Sequence, residues 1–119
     1  MADETDCEIY QEFVGKTSTK KGIEWAVLGL TAEAGEVAGV VEKMIRYDDQ
    51  GNSIADRDFE DGSAEQLNNT WQSKVFDECG DVLWFLVEIL NSIDRTLDDC
   101  IMHNMDKLNK RAAANDKAS

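Results

Sequence analysis

The chain is predicted to be all-α, a four-helix-type bundle completed by oligomerisation. Three observations carry this. Proline is absent from all 119 residues, and proline is the residue helix interiors reject most strongly. Apolar residues recur at steps of three and four through most of the chain, which is helical periodicity. The length suits one domain, and a helical domain this small commonly adds a second copy to enlarge its core. Residues 1–119 are accordingly expected to form a single domain.

The first helix is placed at about Asp6 to Thr17, where Ile9, Tyr10, Phe13 and Val14 share a face. Thr17-Ser18-Thr19-Lys20-Lys21-Gly22 reads as a break. The second helix runs from Ile23 to about Arg46, with Ala26, Leu30, Val37, Val40 and Met44 as its seam. Residues from about 47 to 69 are rich in Asp, Asn, Gly and Ser and read as an inserted polar loop. Asp56, Asp58 and Glu60 give this loop a superficial likeness to a calcium loop. Gly62 falls one place late and Leu67 stands where the closing glutamate belongs, so that reading fails. The third helix is placed from Ser63 or from Thr70, with Leu67, Trp71, Val75, Val82, Phe85, Ile89 and Ile93 as its seam. The fourth runs from Leu97 to about Ala113, opened by Thr96-Leu97-Asp98-Asp99 as a cap with acids in its first turn.

The formal charge is −13, which disfavours direct binding to a nucleic-acid backbone. A phosphate substrate would need divalent cations between it and the acids. Cys7, Cys79 and Cys100 make an odd number without CxxC spacing, so neither a disulfide framework nor a zinc ribbon is expected. Reduced thiols fit the cytoplasm. The acidic start, Met1 to Asp6, is no signal peptide. The apolar run Val82 to Leu90 is too short for a membrane span and contains Glu88.

Both long seams are interrupted by a glutamate. Glu33 stands between Leu30 and Val37, and Glu78 between Val75 and Val82. A carboxylate facing a dry interface is costly unless paired or metal-bound. Each has a second acid three residues on, Glu36 and Asp81, and residues so spaced share a helix face. Each pair also encloses a glycine, Gly35 or Gly80, which suggests close approach of a neighbouring backbone or ligand. All-carboxylate oxygen ligation suits Mg2+, with Mn2+ the close alternative. A di-iron bundle would need Glu-x-x-His pairs, and the lone His103 supplies none. Glu36, at the wetter edge of its seam, is the candidate to orient or deprotonate a metal-bound water. On the fourth helix Asn104, Lys107 and Arg111 share one face. The two cations suit phosphate oxygens, and the amide suits a sugar or base. Trp25 and Tyr10 are the preferred stacking partners for a base, ahead of Trp71, Trp84 and Phe13.

Three segments resemble the MazG-like family of all-α nucleotide pyrophosphohydrolases. Leu28-Gly-Leu-Thr-Ala-Glu-Ala-Gly-Glu-Val37 is similar to the family's ExxE helix, and Asp77-Glu-Cys-Gly-Asp-Val-Leu-Trp-Phe85 to its ExxD helix. Asn104-Met-Asp-Lys-Leu-Asn-Lys-Arg111 is similar to its closing asparagine, lysine-leucine and arginine. Tyr10-Gln11 stands where members often carry an aromatic and a glutamine. The acid pairs lie further apart than is common in the family, because of the inserted segment. The resemblance implies cleavage of an NTP or dNTP between its α and β phosphates, and a homo-dimer or a dimer of dimers. A base-selective dCTP or dUTP enzyme and a phosphoribosyl-ATP pyrophosphatase are alternatives within that superfamily. Outside it stands a non-enzymatic acidic helical protein that binds a basic partner. Such a protein would not place Glu33 and Glu78 on apolar seams.

Overall fold

A computed structural model describes residues 3–49 and 70–118. Four α-helices make up the described chain: α1 Asp6–Thr17, α2 Ile23–Asp49, α3 Trp71–Ser92 and α4 Leu97–Ala118. No strand occurs among the described residues. The all-α class is therefore the class found. Helix α1 has the expected bounds, whereas α2 extends beyond Arg46 to Asp49 and α4 beyond Ala113 to Ala118. No proline or capping signal stops either helix at the shorter limit. The proposed capping start at Ser63 and nearly all of the inserted loop lie outside the described residues.

Local chemistry explains the starts of α1, α3 and α4 and the end of α3. The Thr5 hydroxyl caps α1 by accepting from the Glu8 amide at 3.1 Å, with Asp6 and Glu8 in the first turn and Lys16 in the last. That charge order complements the helix dipole. Thr70, 4 % exposed, caps α3 by accepting from the Ser73 amide at 3.1 Å. Thr96 does the same for α4, accepting from the Asp99 amide at 3.0 Å. At the end of α3 the Arg95 amide donates to the Leu90 carbonyl and the Asp94 amide to the Asn91 carbonyl. These two bonds define a Schellman motif. Its left-handed residue is Asp94, at φ 56°; glycine is the usual occupant, but aspartate tolerates the region.

The chain divides into two compact units. One contains α1, the end of α3 from Val87 onward, and α4. There α1 packs on α4, and Val14 and Val87 are fully buried. Gln11 ties this unit together. Its amide nitrogen donates to Asn91 Oδ1 at 2.9 Å and to the Arg95 carbonyl at 2.8 Å. Its oxygen accepts from the Leu97 amide at 2.8 Å. One side chain on α1 thus satisfies the backbone on both sides of the α3–α4 corner.

The other unit, Glu24–Leu86, contains α2 and most of α3. Its contacts run in opposite directions along the two helices: Trp25 and Gly29 meet Phe85, while Glu33 meets Glu78 and Asp81. The helices are therefore antiparallel. Trp25, Trp84 and Phe85 form an aromatic cluster with ring centroids 5.0 to 6.3 Å apart. The Phe85 ring fills the space that a Cβ at position 29 would take. At Gly35 and Gly80, by contrast, an added Cβ meets no atom of the described residues within 4 Å. Close approach thus occurs at Gly29, and it is made by a side-chain ring rather than by the backbone or ligand expected at the two glycines inside the acid pairs. Position 29 lies opposite a bulky ring, while positions 35 and 80 face no described neighbour.

Two stability tests follow from these contacts. Gly29→Ala drives a methyl into the Phe85 ring and should lower stability by about 1–3 kcal/mol in urea denaturation. Gly35→Ala and Gly80→Ala should raise it by up to about 1 kcal/mol through helix propensity alone. Gln11→Ala strands the Leu97 amide, the Arg95 carbonyl and Asn91 Oδ1, and should cost about 1–3 kcal/mol in the same measurement.

Candidate metal centre

The expected acid pairs sit on α2 and α3 within the unit Glu24–Leu86. One carboxylate oxygen each from Glu33, Glu78 and Asp81 lies within 4.8 Å of the other two. Glu33 and Glu78 are half-buried, and Asp81 is exposed. The geometry follows from the sequence: Glu78 and Asp81 are three residues apart on one face, and the antiparallel pairing sets Glu33 opposite them. Glu36 is exposed and stands outside this three-oxygen group, but its charge acts on Glu78.

The electrostatics are unfavourable in the absence of a cation. Partial burial, followed by the negative charges of Asp81, Glu36 and Glu33, raises the Glu78 carboxyl above its ordinary 4.5. A divalent ion removes the cause, because it replaces lost solvation with oxygen coordination. The donor set is hard oxygen throughout, which matches Mg2+ or Mn2+. Among the described residues no other group of three potential ligands converges this closely.

The remaining expected site residues are distributed between the units. Trp25 is half-buried in the aromatic cluster of the unit Glu24–Leu86, edge-on to Trp84. Trp71 is half-buried at the start of α3. Tyr10, in the other unit, is half-buried and stacks on Phe13 with centroids 6.2 Å apart. Asn104, Lys107 and Arg111 are exposed on α4. Lys110, their neighbour, pairs with Asp106 at 2.9 Å, whereas Lys107 and Arg111 form no ion pair among the described residues. His103 is exposed. Burial and the nearby Asp98 charge push the Cys7 thiol up, which keeps it neutral. Cys7, Cys79 and Cys100 are all free thiols.

Sequence reasoning passed over one acid. Glu88 is only 8 % exposed, and its Oε2 finds no hydrogen-bond partner among the described residues. The available signal was its position inside the apolar run Val82 to Leu90.

The raised Glu78 carboxyl gives a test with a definite sign. A raised carboxyl favours the protonated native state, so its contribution is fully present below the unfolded value of 4.5 and is lost as pH rises through the folded value. With chelator present, Glu78→Gln should therefore gain stability relative to the parent between acid and neutral pH. Thermal unfolding across that range measures it, and parallel pH profiles would contradict the assigned repulsion.

The profile of the MazG nucleotide pyrophosphohydrolase domain matches residues 21–114. The chain is also similar to the Gene 37 protein of Mycobacterium phage L5, at 29 % identity over 107 residues, spanning 90 % of this chain and 80 % of that protein. No solved structure matches the chain. The match covers both acid pairs and the Asn104–Arg111 stripe, and on that ground the chain belongs to the MazG nucleotide pyrophosphohydrolase family.

Proposed function

We propose that the protein is a Mg2+-dependent nucleoside triphosphate pyrophosphohydrolase, which cleaves an NTP or dNTP to the monophosphate and pyrophosphate. The observation that carries this reading is the convergence of Glu33, Glu78 and Asp81 oxygens within 4.8 Å on two half-buried helix faces. Family membership supplies the reaction class.

Each side chain has a role in this reading. Glu33, Glu78 and Asp81, joined by Glu36, hold the cation. When bound, Mg2+ neutralises phosphate charge and acidifies the attacking water. Glu36 accepts the proton of that water, for which an exposed carboxylate outside the three-oxygen group is suited. Lys107 and Arg111 offset charge that develops on the phosphates, and Asn104 hydrogen-bonds the sugar or base. Trp25 and Tyr10 stack on the base. Edge-on packing against Trp84 limits how freely the Trp25 ring turns.

The two compact units belong, in this proposal, to one functional domain spanning 1–119 with an inserted segment at about 47–69. A family match that runs through both units supports this. The protein works as a homo-dimer or homo-tetramer. Phe76 is 82 % exposed, Leu28 71 % and Met102 64 %, and apolar residues so exposed on three helices suit burial against a second copy. No described helix is long and apolar enough to cross a membrane, and free thiols suit the cytoplasm.

The decisive experiment is pyrophosphate release across all NTPs and dNTPs, with and without Mg2+. At least one nucleotide should be turned over, only with the metal. Glu36→Gln and Glu78→Gln should each reduce kcat by a factor of about 100 or more. Mg2+ at millimolar concentration should raise the Tm of the parent by mass action and that of Glu78→Gln by less. Parent-like turnover in either variant would refute the assignment.

A further inference from the structure

A second acid-lined pocket lies entirely within the unit built from α1, the end of α3 and α4. Its volume is about 380 Å3, and it is lined by Glu8, Gln11, Glu12, Gly15, Lys20, Glu88 and Asn91. We propose that it binds an organic cation through an alkylammonium or guanidinium head group, with Glu88 as the anchoring carboxylate.

Glu88 carries the argument. More than nine-tenths of it is buried, yet Oε2 is without a hydrogen bond among the described residues. Such a carboxylate oxygen is expensive to leave unpaired, because it has lost water and gained no donor. The same side chain lines an adjoining depression with Lys20, Gly22, Ile23, Asn91 and Ser92, so both cavities converge on it. A donor that arrives from the pocket completes this carboxylate.

The surroundings define that donor. Glu8, Glu12 and Glu88 face a single cation, Lys20, so an anionic ligand would be repelled. One donor of the Lys20 ammonium goes to the Gly15 carbonyl at 3.3 Å, and none reaches Glu88 Oε2. Its backbone is fixed at φ 59° by a turn in which its amide donates to Ser18 Oγ at 3.0 Å. Asn91 and Gln11 bond each other through both groups of the Asn91 carboxamide, at 2.9 and 3.5 Å. The lining thus carries net negative charge, and its buried unmet acceptor is Glu88 Oε2. A bare metal ion fits poorly, since these carboxylates do not converge as Glu33, Glu78 and Asp81 do. A head group with several N–H donors and one positive charge satisfies Glu88 at once, and its alkyl chain extends between the helices.

Agmatine carries both head groups and is the probe. The full chain is titrated with it in excess magnesium chloride, which is present in every arm, and followed by backbone amide shifts. Gly15, Lys20 and Asn91 should shift saturably. Glu88→Gln, close to isosteric, should weaken binding by about tenfold or more, the scale of one charged hydrogen bond. Glu42→Gln, which removes an equal charge from α2, should leave the affinity unchanged. Lys20→Met should tighten binding by removing the competing charge, and decides the matter if Glu88→Gln fails to fold. A capped arginine dipeptide is titrated alongside. Tighter agmatine binding assigns the site to a free small cation, tighter dipeptide binding to the side chain of a partner, and both support the head-group assignment. The proposal is overturned if the shifts do not saturate, if they centre on Glu33–Glu36, or if Glu88→Gln and Lys20→Met both titrate like the parent.

Discussion

Three carboxylate oxygens within 4.8 Å of one another, two of them on half-buried side chains, pose the problem that the unit Glu24–Leu86 has to solve. Neither helix gains by placing an acid on its apolar seam, and the pair gains less by facing those acids together. The arrangement persists because the neighbouring contacts determine it. Phe85 lodges over Gly29, and Trp25 and Trp84 close around that ring. Fixing this point on two antiparallel helices fixes the register of everything beyond it, and Glu33 then comes opposite Glu78 and Asp81. The aromatic cluster supplies the packing, and the acids occupy positions that packing alone would have given to leucine. A site strained in this way is an expected mark of function.

The helices themselves were legible because their signals are local. Seam periodicity, the Thr96 cap and the break from Thr17 to Gly22 all act within a few residues, and α1 and the start of α4 lie where those signals put them. Helix ends without a stop signal were set too short, at Arg46 and Ala113. The acid pairs were legible for a different reason. A charge on an apolar seam contradicts its own neighbourhood, and the contradiction is visible in one dimension.

What the sequence hid depends on pairing between helices. Gly35 and Gly80 drew attention by their matched positions, but the crowded glycine is Gly29, and only the location of Phe85 across the helix pair reveals this. Gln11 gave no sign of the three hydrogen bonds by which it joins α1 to the α3–α4 corner. Asp94 in the left-handed region takes the place of a glycine that sequence rules look for. Glu88 was hidden differently. It has the same anomaly as Glu78, an acid among apolar neighbours, but no second acid three residues away to make a motif of it.

That difference separates the half-buried Glu78 from the buried Glu88 on α3. Glu78 has Asp81 one turn along, and together with Glu33 they accumulate negative charge that only a multivalent cation neutralises well. Glu88 is followed one turn later by Asn91, whose carboxamide is already bonded to Gln11, so its surroundings demand one donor and one charge. Charge density therefore sets the ligand class proposed in each case: a hard divalent ion where carboxylates converge, a diffuse nitrogen cation where one stands alone. A chain at −13 has acids to spare for solubility, but solvated acids do not lose their water. Burial of the individual carboxylate, rather than the number of them, distinguishes a site from a surface.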